Sequence, residues 1–174
     1  MVTRSEPGYV WDFCGGQLAV DFTNTVGDRG ADAQEHFTIY GDVVAWAEAR
    51  GVVSRGHAQR LRAAAERRPR DAREAVSAIV ALRESLYAVI TAAAAGRAAP
   101  SGDLARVNAE VALACSHAHL APRRGRVVLA FDAPDDDSLT QPVSIPVVRA
   151  AVDLLTTDVL DRVCNGNIRT LMRA

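Results

Sequence analysis

The stretch from Ala75 to Ala95, "AVSAIVALRESLYAVITAAAA", constrains the fold more than any other part of the chain. It holds neither proline nor glycine and is rich in alanine, leucine and isoleucine, so it reads as one continuous helix, opened by Asp71 and ended by Gly96. A membrane span would need roughly 20 apolar residues in a row. Arg83, Glu84 and Ser85 interrupt the run, which marks a core helix of a soluble protein. At about 100° per residue, Val76, Ile79, Val80, Leu86, Tyr87, Ile90 and Ala94 fall on one stripe, with Arg73, Glu74, Ser77 and Thr91 outside it. Arg83 lands inside the stripe.

A guanidinium in that place must snorkel to an edge or meet an opposite charge, because an unpaired buried ion costs several kcal/mol. Asp21 and Asp42 are the candidate carboxylates, and an anionic ligand is the third option. A structural ion pair is the plainer outcome. Arginine also suits a ligand clamp, since its planar fork holds a carboxylate by two parallel hydrogen bonds. Arg83 is therefore the candidate charge anchor of a pocket whose apolar walls would be Trp46 and Tyr87.

The rest of the chain is punctuated by similar signals. Alternation of Leu18, Val20 and Phe22 predicts a short strand from Gln17 to Val26, with helical spacing of Leu18, Phe22 and Thr25 in competition. "GDRG" from Gly27 to Gly30 reads as a turn. Asp42 is the expected N-cap of a helix that turns Val43, Trp46 and Ala47 inward and stops at Gly51. Ser54 caps the next helix, with Leu61, Ala64 and Ala65 inward and arginines outward up to Pro69. A further helix starts at Gly102 or Asp103 and carries Leu104, Val107, Val111 and Ala114. A turn then leads to a β-branched strand from Arg126 to Phe131 and an acidic loop. A last long helix spans about Pro146 to Leu155, and a short one capped by Thr157 ends near Cys164. No internal repeat and no interdomain linker is visible. The expected class is α+β: a mainly helical single domain with a few short strands.

Composition removes several functions. With 49% hydrophobic residues in 174, the chain can bury a real core. A net charge of -1 argues against a broad nucleic-acid footprint. All 20 basic residues are arginine. Schiff-base and pyridoxal-phosphate chemistry and the P-loop all need a lysine amine, so those classes are excluded. Cys14, Cys115 and Cys164 are odd in number and widely spaced, which favours a reducing, cytoplasmic setting over a disulfide framework. The N-terminal "MVTRSEPGYVW" lacks the apolar core of a signal peptide.

"GGQLAVDFTNTVGDRG", from Gly15 to Gly30, carries the most concentrated polar cluster. Asp21, Asn24 and Thr25 are common turn and cap residues that satisfy their own backbone. The functional reading makes Asp21, Asn24, Thr25 and Arg29 polar anchors at a pocket mouth. In an enzyme, Asp21 would be the general acid or base, its pKa moved by burial and by Arg83 in opposite directions. Cys115, His117 and His119 would converge on a metal only if they lay on a strand, and helical periodicity turns His117 away, so no metal site is expected. Cys14, beside two glycines, lacks a nearby histidine to activate it. The arginines from Arg55 to Arg73 are diluted by Glu66, Asp71 and Glu74 and read as a solvated face. Asp135, Asp136 and Asp137 lack the spacing of a calcium loop.

"FCGGQLAVDFTNTV" from Phe13, "YGDVVAWAEARGVV" from Tyr40, "VALRESLYAVI" from Val80 and "VRAAVDLLTTDVLDRVC" from Val148, in that order, resemble the bacterial ABATE domain, which in its family precedes a CGNR zinc finger. The resemblance implies a mainly helical α+β domain over residues 1–163 in a stress-related transcription regulator, with the finger as its nucleic-acid contact. Cys164 matches the first finger cysteine. The second, due a few residues on, is missing: "NGNIRTLMRA" has Ile168 or Arg169 there, and four ligands make a structural zinc. Residues 164–174 thus read as the remnant of a linker or of a degenerate finger, lost naturally rather than by truncation, and nucleic-acid binding is not expected without it.

These readings converge on a cytoplasmic, non-membrane regulatory domain that needs no cofactor. It would bind a small polar or anionic ligand through Asp21, Asn24, Thr25, Arg29, Trp46, Arg83 and Tyr87. The alternatives are a cofactor-independent enzyme performing isomerisation, cyclisation or hydrolysis in the same pocket, and a homodimeric interaction module.

Overall fold

Residues 11, 13, 15–27, 29, 33–132, 137–158 and 160 are described by the computed structural model. The elements follow in the order α1 (Leu18–Thr23), β1 (Val26–Gly27), β2 (Gln34–Glu35), α2 (Tyr40–Ala49), α3 (Arg55–Arg67), α4 (Pro69–Ala94), α5 (Ser101–Ser116), β3 (Ala118–Arg123), β4 (Arg126–Phe131) and α6 (Gln141–Thr156). The class is mainly helical α+β, as expected. The 26-residue α4 is the axis, in contact with α1, α2, α3, α5 and α6. By length and composition it could cross a membrane, but here it is the core helix of a bundle. Because neighbours surround it, its buried surface is wider than a single stripe: Ala75, Leu82, Ser85, Val89 and Ala92 are buried alongside Ile79, Leu86 and Ile90. Each large aliphatic side chain removed from water contributes about 1.5–3 kcal/mol.

The helix ends obey local chemistry. Pro69 is the first residue of α4, where its missing N–H costs nothing. Gly96, at φ 62°, lets Arg97 N donate to Ala92 O at 2.9 Å and Gly96 N to Ala93 O at 3.0 Å. Gly51, at φ 76°, ends α2 with the same paired bonds, Val52 N to Ala47 O and Gly51 N to Glu48 O. Ser54 caps α3 by accepting from His57 N. Asp42 is not the N-cap of α2 but its third residue. The cap position holds Ile39, which has no acceptor, so the Asp42 carboxylate reaches back to the amides of Thr38 and Ile39, each at 2.9 Å, and to the Thr38 hydroxyl.

The structure departs from the sequence reading at three further places. The run from Gln17 is a helix, α1, not a strand: Asp21 N donates to Gln17 O and Asn24 N to Val20 O. Ala19, Val20, Asp21, Phe22 and Thr23 are all buried, so both faces are buried and alternation carries no information. α5 stops at Ser116 and the chain becomes β3, which pairs antiparallel with β4 from Ala118↔Phe131 to Arg123↔Arg126. The predicted strand Arg126–Phe131 has the predicted ends. Its turn, Arg124 at φ 50° and Gly125 at φ 75°, has the two positive φ values of a tight hairpin. α6 begins at Gln141 and takes Pro146 into its interior, because the apolar faces of Val143, Val147 and Val148 outweigh the hydrogen bond Pro146 cannot donate. The short helix expected from Thr157 to Cys164 falls mostly outside the described residues.

Replacing Asp42 by Ala removes three bonds from the α2 entrance and lowers stability by about 1–2 kcal/mol. Urea unfolding checks this through a lower midpoint at unchanged slope.

Candidate functional site

Arg83 is 2% exposed, as the helical stripe predicted. Its partners are neither Asp21 nor Asp42. Nη1 and Nη2 donate to the two carboxylate oxygens of Glu35, on β2, at 2.7 and 2.6 Å, and Nε donates to Glu84 Oε1 at 2.7 Å. Nη1 also lies within 3.5 Å of the carbonyl and hydroxyl oxygens of Thr25. Glu84 in turn accepts from Arg29, whose Nη2 also donates to Thr23 O at 2.8 Å and whose guanidinium lies 3.9 Å from the centre of the Tyr87 ring. The result is a chain of alternating charge, Arg29, Glu84, Arg83, Glu35, that fastens the β1–β2 segment to α4. Neither glutamate was legible as a partner. Glu84 sits one residue from Arg83, about 100° off the stripe, and Glu35 is supplied by a two-residue strand with no periodicity of its own.

The electrostatics are those of a satisfied network. Burial pushes the Arg83 pKa down, but hydrogen bonds and attraction from Glu35 and Glu84 outweigh it and hold it above its usual value. Burial pushes both glutamates up. For Glu35 the Arg83 hydrogen bonds, the Phe37 amide and the Arg83 charge reverse this, and for Glu84 Arg29 and Arg83 do so, leaving both below the ordinary carboxylate value.

A second pin lies on the other side of α1. The Asp21 side chain is fully buried, takes Arg50 Nε at 2.7 Å on one oxygen and the Gly15 amide at 3.0 Å on the other. A Cβ at Gly15 would sit 2.8 Å from that same oxygen and from Val20 Cγ1, so the motif needs glycine there. The Thr23 and Thr25 hydroxyls donate to the carbonyls of Val20 and Phe22 at 2.9 and 2.8 Å. The "GGQLAVDFTNT" signature is thus mostly a short helix, α1, whose Asp21, Thr23 and Thr25 side chains are spent on protein partners.

The seven predicted site residues separate accordingly. Asp21, Thr25 and Arg83 are buried and spent on protein partners. Trp46 is a core residue rather than a pocket wall, with Phe22 and Phe37 at 5.4 and 6.0 Å between ring centres. Asn24, Arg29 and Tyr87 remain half-buried, and the Asn24 side chain has no hydrogen-bond partner among the described residues. A cavity of about 250 Å³ lies at the other end of α4, lined by Arg68, Asp71, Glu74, Ala75, Ala78, Asp137, Leu139 and Thr140; none of the seven reaches it. Among the described residues no His, Cys, Asp and Glu group could hold a metal. Cys115 is exposed on α5, His117 caps that helix and His119 faces Asp132 at 3.4 Å. Cys14 and Cys164 lie outside the described residues.

A family model, ABATE, described as "Putative stress-induced transcription regulator", matches residues 16–158, from the residues that enter α1 to just beyond α6. Comparison with curated proteins and with solved structures gives no match.

Two outcomes follow from the geometry. Because the folded-state pKa values of Glu35 and Glu84 lie below the ordinary 4.5, their contribution is complete above that pH and is lost as pH falls through the lowered values. A Glu35→Gln variant should flatten this acid-side slope in denaturant titrations. Gly15→Ala should cost about 1–3 kcal/mol by forcing Asp21 off Arg50 or shifting α1, read as a lower thermal midpoint.

Proposed function

The chain belongs to the ABATE family, and we propose that it is the sensing domain of a stress-type transcription regulator, taking a small polar or anionic ligand at the outer end of the charge chain. The observation that carries this is Arg29. Its side chain is 19% exposed, stands over the half-buried Tyr87 ring, and shares Glu84, itself 46% exposed, with Arg83. A ligand carboxylate or phosphate can replace Glu84 on Arg29, because Glu84 can turn to water while Arg83 still holds it. Tyr87 supplies an apolar wall, and the Asn24 amide, one residue from the Thr23 carbonyl that Arg29 holds, supplies orientation.

Such an exchange couples binding to shape. Glu84 links Arg29 to α4, so a ligand that takes Arg29 changes how firmly the Thr23 carbonyl and Arg29 are held there. Only that difference between the two states can shift the equilibrium. The cytoplasm is the compartment this role implies. The enzyme alternative draws less support: the Asp21 carboxylate, its proposed acid or base, has no exposed face for a substrate to touch.

Retention of compounds from metabolite pools, followed by native mass spectrometry, tests the reading. Arg29→Gln leaves the Arg83–Glu35 bridge in place; with its helical fold checked by circular dichroism, the variant should bind about 10- to 100-fold more weakly, the worth of one charged hydrogen-bonding partner. Equal retention by the variant, or no compound retained by either protein, would sink the proposal.

A further inference from the structure

Between Ala118 and Phe131 the chain holds three arginines and one histidine but no carboxylate. The arginines gather at the tip of the β3–β4 hairpin: Arg124 lies in the turn, and Arg123 and Arg126 flank it, directly opposite each other in the register. All three are exposed, and among the described residues none is paired with a carboxylate. Like charges facing each other across a strand pair destabilise it. The tip keeps a repulsion that nothing in the fold offsets, and a polyanion is the partner that relieves it.

The shape of the hairpin narrows the choice of polyanion. Its two six-residue strands run about 20 Å. They keep their contacts almost wholly to each other, with Arg149 of α6 over the Phe131 ring at the base. The hairpin is thus a two-stranded ribbon standing out from the helices. Arg123 and Arg126 share one of its faces, while Leu120, Pro122, Val127 and Leu129 share the other. That second face is open, with Leu120 73% exposed and Val127 70%. A lipid surface meets one face at a time: with the leucines in the bilayer, Arg123 and Arg126 would point away from the headgroups. The major groove of duplex DNA, about 12 Å wide, admits a two-stranded ribbon and carries phosphates along both walls, so it engages both faces together.

We propose that the β3–β4 ribbon enters the major groove of duplex DNA, with Arg123, Arg124 and Arg126 on phosphates and the apolar face towards base edges, where thymine methyls offer apolar contact. The net charge of -1 confines the contact to this patch, which supplies its own cations where the finger cysteines are missing. The proposal does not rest on the Arg29 ligand site.

Fluorescence polarisation of a short, labelled, mixed-sequence duplex titrated with the full chain tests it. Three phosphate contacts give a slope of about -2.7 in log affinity against log salt, so binding should weaken about 40-fold between about 50 and 200 mM salt. Arg123→Gln, Arg124→Asn and Arg126→Gln should each reduce that slope by about 1, and the triple variant should bind about tenfold more weakly or worse at the lower salt. Asparagine tolerates the positive φ of Arg124, and loss of the facing charges should hold or raise the thermal midpoint, so the fold survives the test. Arg60→Gln, exposed on α3, and Arg29→Gln should leave duplex binding unchanged, which separates a failure here from a failure of the ligand reading. Absence of duplex binding at low salt, a triple variant that binds like the parent, or an equal loss in Arg60→Gln would overturn the proposal. So would tighter binding to phosphatidylserine vesicles or to polyglutamate than to the duplex.

Discussion

A guanidinium without water has to be answered by carboxylates, and the arrangement around α4 follows from that demand. Arg83 stands among Ile79, Leu82 and Leu86, where desolvation alone would make it unaffordable. The answer comes from two directions: from the next residue along the helix, Glu84, and from a short strand 48 residues away in sequence, Glu35. Both carboxylates keep part of their surface in water, so the desolvation falls mainly on the arginine. Since β1 and β2 are only two residues each, their ladder cannot hold the segment in place. The charge chain does.

The Asp21–Arg50 pair repeats the device at smaller scale. It joins α1 to the end of α2 and, through the Gly15 amide, draws the entering chain over the top of α1. Between the two pins lie Phe22, Phe37 and Trp46, packed ring to ring and closed to solvent. The residues that resemble a binding motif in sequence are therefore mostly those that assemble this corner of the bundle. What they leave at the surface is the outer end, Arg29 on Tyr87.

The helical body and the β3–β4 hairpin obey different rules. In the body, the core side chains are covered by neighbouring helices. In the hairpin, hydrogen bonds are satisfied between the two strands while one face keeps its leucines in water.

Helices α2, α3, α4 and α5, the strand Arg126–Phe131 and the burial of Arg83 were all legible in the sequence, because periodicity, caps and stop glycines act within a few residues. The family was legible too, from the order of its motifs. The identity of Arg83's partners was not, nor was the helical state of Leu18–Thr23, nor the strand that completes the hairpin. Periodicity reports which side of an element is buried and is silent on what buries it. Where every side is buried, as in α1, or where a strand has two residues, as in β2, it has nothing to report. Which carboxylate meets a buried cation is decided by how distant segments come together, and only the tertiary structure contains that information.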